Sequence, residues 1–226
     1  MPPSHASRQH PCPLCGHAPA NWFNANADRT FYRCPRCALI FVDRGDRLPP
    51  TEEKARYDLH ENQPDDPGYR EFLRQLQDPL MAQLGPPPLE GLDYGSGPTP
   101  VLATMLSEAG YAMAVYDPFY APDPAPLERT YDFITCTEAI EHFYRPDTEW
   151  RLLLSLLRPG GWLGLMTRLV DRPEQFMDLH FRKDRTHVCF FSRRTFNFLA
   201  EQDALQMTFI GERVVLVRKP APPAGG

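Results

Sequence analysis

Four of the six cysteines fall within the first 37 residues, as 12-CPLC-15 and 34-CPRC-37 with 18 residues between the pairs. A two-residue spacing lets both thiolates of a pair turn toward one ion, and two such turns complete a tetrahedral four-sulfur site. Cys12, Cys15, Cys34 and Cys37 are therefore the metal-ligand candidates, for a structural zinc with a closed shell. Spacing does not separate zinc from a single iron on the same thiolates. A redox role is disfavoured, because matched pairs in a cytosolic chain more often hold metal. His10 and His17 lie close by but are surplus to a completed site. Cys136 and Cys189 sit in apolar runs and read as small buried hydrophobes.

A second constellation lies at 93-DYGSG-97. Gly95 and Gly97 follow an apolar run and open a helix-like segment, where free N–H groups and close backbone approach suit a ligand. A dinucleotide fingerprint would want glycine where Pro100 stands, and no Gly-Lys-Ser/Thr phosphate loop is present. Asp117 ends the next apolar run, 22 residues after Gly95, where one carboxylate can take both hydroxyls of a ribose. The ligand implied is a nucleoside with a ribose and no pyrophosphate requirement.

The elements that position these groups follow from periodicity. Residues 69–84 predict a helix, with Phe72, Leu73, Leu76 and Leu80 at steps of three and four, kinked or split at Pro79. A partly helical connector around 51–62 precedes it. From residue 92 the pattern alternates: strands ending at Tyr94, Tyr116, Cys136 and Thr167, with helices over 101–109 and 148–157 between them. The turn 158-RPGG-161 separates the last of these helices from its strand. Ser192 caps a helix to about residue 202, and strands at 208–210 and 214–217 close the chain as an antiparallel hairpin. The fold expected is α/β, a Rossmann-like doubly wound and mostly parallel sheet behind a small zinc ribbon. The expected domains are a ribbon over 1–45, a connector with helices over 46–88, a ligand-binding body over 89–219 and a frayed tail over 220–226.

Of 226 residues, 42% are hydrophobic and 23% charged, ordinary for a globular protein. No apolar run reaches the length of a membrane span and the N-terminus lacks a signal peptide's apolar region, so no membrane and a cytoplasmic location are expected. The net charge of −5 is uneven. Residues 1–45 carry five arginines against two aspartates, leaving −8 for the remainder, which argues against a long nucleic-acid footprint.

The ordered run of LDYGSGPTP, AVYDP, YDFITCTEAIEHF and LLRPGGWLGLMT over residues 90–217 resembles the class I S-adenosylmethionine-dependent methyltransferases. The cysteine head resembles a bacterial subgroup of that family with an N-terminal four-cysteine ribbon. The resemblance implies that Asp93, Gly95 and Gly97 lie against the methionine part of the cofactor, that Asp117 grips its ribose, and that Thr137 and Glu138 flank it. It also implies Glu141, Tyr57 and His60 as acceptor contacts. Only 13 residues separate Asp117 from Tyr131, too few for the family's usual helix, strand and helix, so the edge strand after Asp117 should be missing and no adenine contact is assigned.

The implied activity is methyl transfer from S-adenosyl-L-methionine to an oxygen, nitrogen or carbon nucleophile of a small molecule, a metabolite or natural-product intermediate, by a monomer or homodimer. A base is needed only where the acceptor must lose a proton. His142, beside the third strand's end, and His187 and His180, in the segment 178-DLHFRKDRTHVCFFS-192, are the candidates. Arg182 and Arg185 would hold an acceptor carboxylate or phosphate. Two alternatives stand: an rRNA or tRNA methyltransferase that docks RNA on its zinc module, and a non-catalytic zinc-ribbon adaptor with a vestigial methyltransferase fold.

Overall fold

The computed structural model describes residues 10–59 and 63–221. Its larger sheet has six strands in the order β5-β4-β6-β7-β10-β9: β4 (Glu90–Tyr94), β5 (Ala112–Tyr116), β6 (Tyr131–Thr137), β7 (Leu157–Met166), β9 (Gln206–Ile210) and β10 (Val214–Arg218). The first four run parallel, and β10 is antiparallel to both β7 and β9. This is the mostly parallel Rossmann-like sheet with a terminal antiparallel hairpin. β5 is its edge, and residues 118–130 form only a tight turn and one 3-10 turn, so the strand that the short spacing excluded is absent.

Side chains alternate across this sheet with the period of two that strands impose. Val214 and Leu216 of β10 face one way, onto α2 (Pro67–Met81) and α3 (Val101–Glu108), while Val215 and Val217 face α4 (Pro146–Leu156) and α5 (Arg193–Asp203). α2 presents Leu73, Leu76 and Leu80, and a Cβ at Gly164 of β7 would come within 3.1 Å of Leu76, so the glycine lets helix and strand approach closely. Pro79 does not split α2. It lies in the final turn, where the lost N–H bond touches a helix already ending. Nor does 158-RPGG-161 form a separate turn, since β7 starts directly after α4 and absorbs the glycines as a pairing irregularity opposite β6. α5 starts at a capping box in which Ser192 and Thr195 bond reciprocally, as expected of that serine.

The N-terminal part forms a second sheet, β1 (Asn21–Ala25), β2 (Thr30–Arg33) and β3 (Ile40–Val42), followed by α1 (Pro50–Tyr57). Its fourth strand is β8 (Cys189–Phe190), contributed by the body of the chain and paired antiparallel with β3. The ribbon is thus sewn to the segment that carries His187. Among the described residues, no helix is long and apolar enough to cross a membrane.

Candidate active site

The carboxyl ends of β4, β5 and β6 meet at a cavity of about 570 Å³. At its floor, Gly95 donates its N–H to Tyr116 O at 2.8 Å, and Gly97 donates to Asp117 Oδ2 at 2.9 Å. Both glycines have positive φ, 75° and 67°. A Cβ at Gly95 would sit 2.6 Å from Ala139 Cβ, whereas one at Gly97 would project into open space. Asp117 Oδ1 accepts the N–H groups of Phe119 and Tyr120 at 2.8 and 3.0 Å, so the shortened loop folds back around one carboxylate. Asp93 lies beneath the loop and takes the Thr135 hydroxyl at 2.7 Å, and burial pushes its carboxyl up to about 6.

The end of β6 supplies Thr137 and Glu138 to the same wall. Glu138 holds φ at 48°, a conformation that costs a non-glycine residue about 1–2 kcal/mol. Its N–H donates to Met166 O at 2.7 Å and its carboxylate faces Arg213 at 3.7 Å. Burial raises its carboxyl to about 7, with Arg213 opposing. Ser96 Oγ, Thr137 Oγ1 and Glu138 Oε1 are buried without a hydrogen-bond partner, so this end of the cavity offers polar atoms for a ligand to satisfy.

At the far end stand Tyr57, His142 and His187. The Tyr57 and His142 rings meet edge to face at 5.2 Å, and those of His142 and His187 lie 4.7 Å apart. Glu53, one helical turn before Tyr57, accepts its hydroxyl at 2.7 Å. Asp184 also lines this end and accepts from Thr186 N and Oγ1. Glu53, Asp117, Glu138, Glu149 and Asp184 line the cavity, and no lysine or arginine does among the described residues.

Other sequence candidates are placed elsewhere. Arg182 turns away, its Nε donating to Met177 O at 2.6 Å, and neither it nor Arg185 nor His180 lines the cavity. Glu141 is fully buried behind the wall. His60 lies outside the described residues. Periodicity offered no sign of Arg29. This buried ribbon residue donates to the carbonyls of Asp184 at 2.8 Å and His187 at 3.0 Å, and also to that of Arg182. Glu53 did have a signal, four residues from Tyr57 on one helix face.

The cysteines form two matching knuckles. Gly16 N donates to Cys12 O and Ala38 N to Cys34 O, each at 3.0 Å, with Gly16 and Ala38 both at positive φ. Cys12 Sγ lies 3.5 Å from Cys37 Sγ, and Cys15 Sγ 3.5 Å from Cys34 Sγ. Zinc–thiolate bonds of about 2.3 Å give a tetrahedron with edges of about 3.8 Å, close to this spacing, so the cluster could hold a metal ion. His10 is not a member; it stacks on Tyr32 with ring centroids 3.9 Å apart.

Comparison with known proteins bears on the family and the fold. Residues 69–207 match a family described as a methyltransferase domain. No curated protein matches the sequence. An O-methyltransferase family protein from Burkholderia thailandensis is similar in structure, with TM-score 0.50 and 14% identity over 76% of this chain and 63% of that one. This chain therefore spans less than two thirds of that protein's length. A Methanococcus maripaludis protein classed as an S-adenosyl-L-methionine-dependent methyltransferase is similar at TM-score 0.50 and 13% identity, over 76% of this chain and 93% of that one. Magnesium protoporphyrin IX methyltransferase from Synechocystis PCC 6803, solved with bound SAH, is similar at TM-score 0.46 and 12% identity, over 75% and 94%. The chain belongs to the methyltransferase-domain family and has the class I S-adenosylmethionine-dependent methyltransferase fold.

Proposed function

We propose that the protein transfers a methyl group from S-adenosyl-L-methionine to an oxygen, nitrogen or carbon nucleophile of a small-molecule acceptor. The observation that carries this reading is one cavity joining the glycine turn and Asp117 at one end to His142 and His187 at the other. The cofactor supplies a methyl group already activated on a sulfonium. Asp117 takes a ribose hydroxyl on the acceptor capacity left by its three backbone bonds, and Gly95 and Gly97 keep the floor clear of side chains. The orphaned oxygens of Ser96, Thr137 and Glu138 give the amino-acid portion its polar partners.

At the acceptor end, Nδ1 of His142 faces Thr186 O at 3.1 Å and Nδ1 of His187 faces Phe181 O at 2.7 Å. A carbonyl only accepts, so each ring carries its proton on Nδ1 and its lone pair on Nε2. That tautomer suits His187 or His142 to receive a proton from the nucleophile. Arg29 holds the His187 segment in place, and Tyr57 and Phe119 exclude water.

Five acidic residues and no lysine or arginine line the cavity among the described residues, which supports a small acceptor over RNA, whose phosphates such a mouth repels. The four cysteines hold a structural zinc in this reading, with the protein working in the cytoplasm as a monomer or homodimer. Calorimetry with S-adenosyl-L-methionine, followed by an acceptor screen read as S-adenosylhomocysteine release, tests it. A folded protein with no affinity for the cofactor at millimolar concentration would sink it.

A further inference from the structure

Glu141 is fully buried, and neither carboxylate oxygen has a hydrogen-bond partner of normal geometry among the described residues, although the Thr167 hydroxyl and its own N–H stand close by. A buried acid in this position is costly unless something ligates it. Two histidines stand beside it. One oxygen of Glu141 and one ring nitrogen each of His142 and His187 lie within 4.8 Å of one another.

The surroundings match those of ligating histidines, which as a rule donate Nδ1–H to a carbonyl and bind through Nε2. Both rings have Nδ1 against a backbone carbonyl. The two segments are also fastened together, since Val188 N donates to Glu141 O at 2.9 Å and Arg29 grips the carbonyls of Asp184 and His187. Metal bonds of about 2.0–2.2 Å put ligand atoms up to about 4.4 Å apart, so small side-chain rotations close the cluster. His142 and His187 line the cavity while Glu141 does not, so an ion between them keeps positions open on the cavity side only.

We propose that Glu141, His142 and His187 form a binding site for one divalent transition-metal ion, open toward the acceptor, whose oxygen it takes as a further ligand. Two imidazoles and one carboxylate with vacant positions suit iron(II), cobalt(II) or zinc, while magnesium and calcium prefer all-oxygen shells. This site is separate from the four-cysteine cluster and has the opposite character, unsaturated where that one is closed. Its place at the acceptor end rests on the methyltransferase reading; the binding of the ion does not. While the ion is bound it engages both Nε2 lone pairs, so the ion, and not a histidine base, would activate the acceptor oxygen.

The test is to produce the full chain in cobalt-supplemented medium and measure cobalt per protein together with the visible spectrum. Two equivalents are expected. One gives the intense near-ultraviolet thiolate charge-transfer band, and the second adds weaker bands that shift when a hydroxy acid such as lactate is added. Glu141→Gln, His142→Ala and His187→Ala should each lose one equivalent and the weaker bands while keeping the thiolate band, which also reports that the variant is folded. A single equivalent in the wild type, or two retained in all three variants, overturns the site. Two equivalents with no affinity for S-adenosyl-L-methionine would leave the metal site standing and remove the methyltransferase reading, whereas cofactor binding with one equivalent does the reverse.

Discussion

The Asp117 carboxylate accepts the Gly97 N–H at 2.9 Å, which ties the end of β5 to the glycine turn after β4. With the Phe119 and Tyr120 bonds, one side chain organises two loops. Hydrogen bonds to a charged group are worth about 1.5–3 kcal/mol each. Asp117→Ala should therefore lower thermal stability as well as weaken S-adenosylhomocysteine binding by more than about tenfold, since one lost bond of that size gives that factor. Calorimetry and a melting curve on the same sample check both, and an unchanged affinity removes the ribose role.

The two glycines of the turn should respond differently to alanine. Gly95→Ala drives a Cβ to 2.6 Å from Ala139 Cβ on top of its positive φ. Gly97→Ala meets no atom and bears only backbone strain, about 1–2 kcal/mol. Denaturant unfolding should rank Gly95→Ala as the more destabilised, with Gly97→Ala losing cofactor affinity from a largely intact fold. The reverse ranking would mean that the turn relaxes in a way the packing does not suggest.

Arg29 connects the cysteine ribbon to the loop that carries His187. Arg29→Lys keeps the charge but not the planar fork that reaches several carbonyls, so it should behave much like Arg29→Ala. Hydrogen exchange over residues 182–188 should rise in both variants, and again when a chelator is added, if the cysteines hold the proposed zinc. Protection that survives chelation would show that the loop stands without the ribbon.

Glu138 should titrate near neutrality. The fold raises its carboxyl from 4.5 to about 7, so the folded state binds the proton more tightly between those values. The stability from this group is complete below the unfolded value and is lost as pH rises through about 7. Glu138→Gln should flatten that part of the stability–pH curve, and Arg213→Ala, which removes the cation favouring ionisation, should move the midpoint higher still. Carbon-13 NMR of the carboxyl locates the midpoint; a value at 4.5 in both proteins refutes the burial argument.

What the sequence made legible was local. The paired cysteines, the alternation of β10, the cap at Ser192 and the missing edge strand each follow from spacing within a few residues. The helix through Pro79 was harder, because the cost of a proline depends on how many turns remain beyond it. Arg29 left no trace, since its partners are more than 150 residues away and a buried arginine satisfied by carbonyls obeys no periodicity. Arg182 and Arg185 illustrate the same difficulty. Their charge suggested an anion site, but Arg182 spends its Nε on the Met177 carbonyl and no arginine lines the cavity among the described residues.

The pairing of β3 with β8 makes the cysteine module inseparable from the rest in practical terms. A shortened version starting after the ribbon would bare the edge of β8 along with Phe190, which packs on Phe31 of the ribbon and is otherwise sealed from solvent. Unpaired edges with aromatic flanks seek new partners. Trimming this protein for crystallisation or engineering should therefore yield aggregates, and grafts that alter acceptor choice will have to move head and loop as one piece.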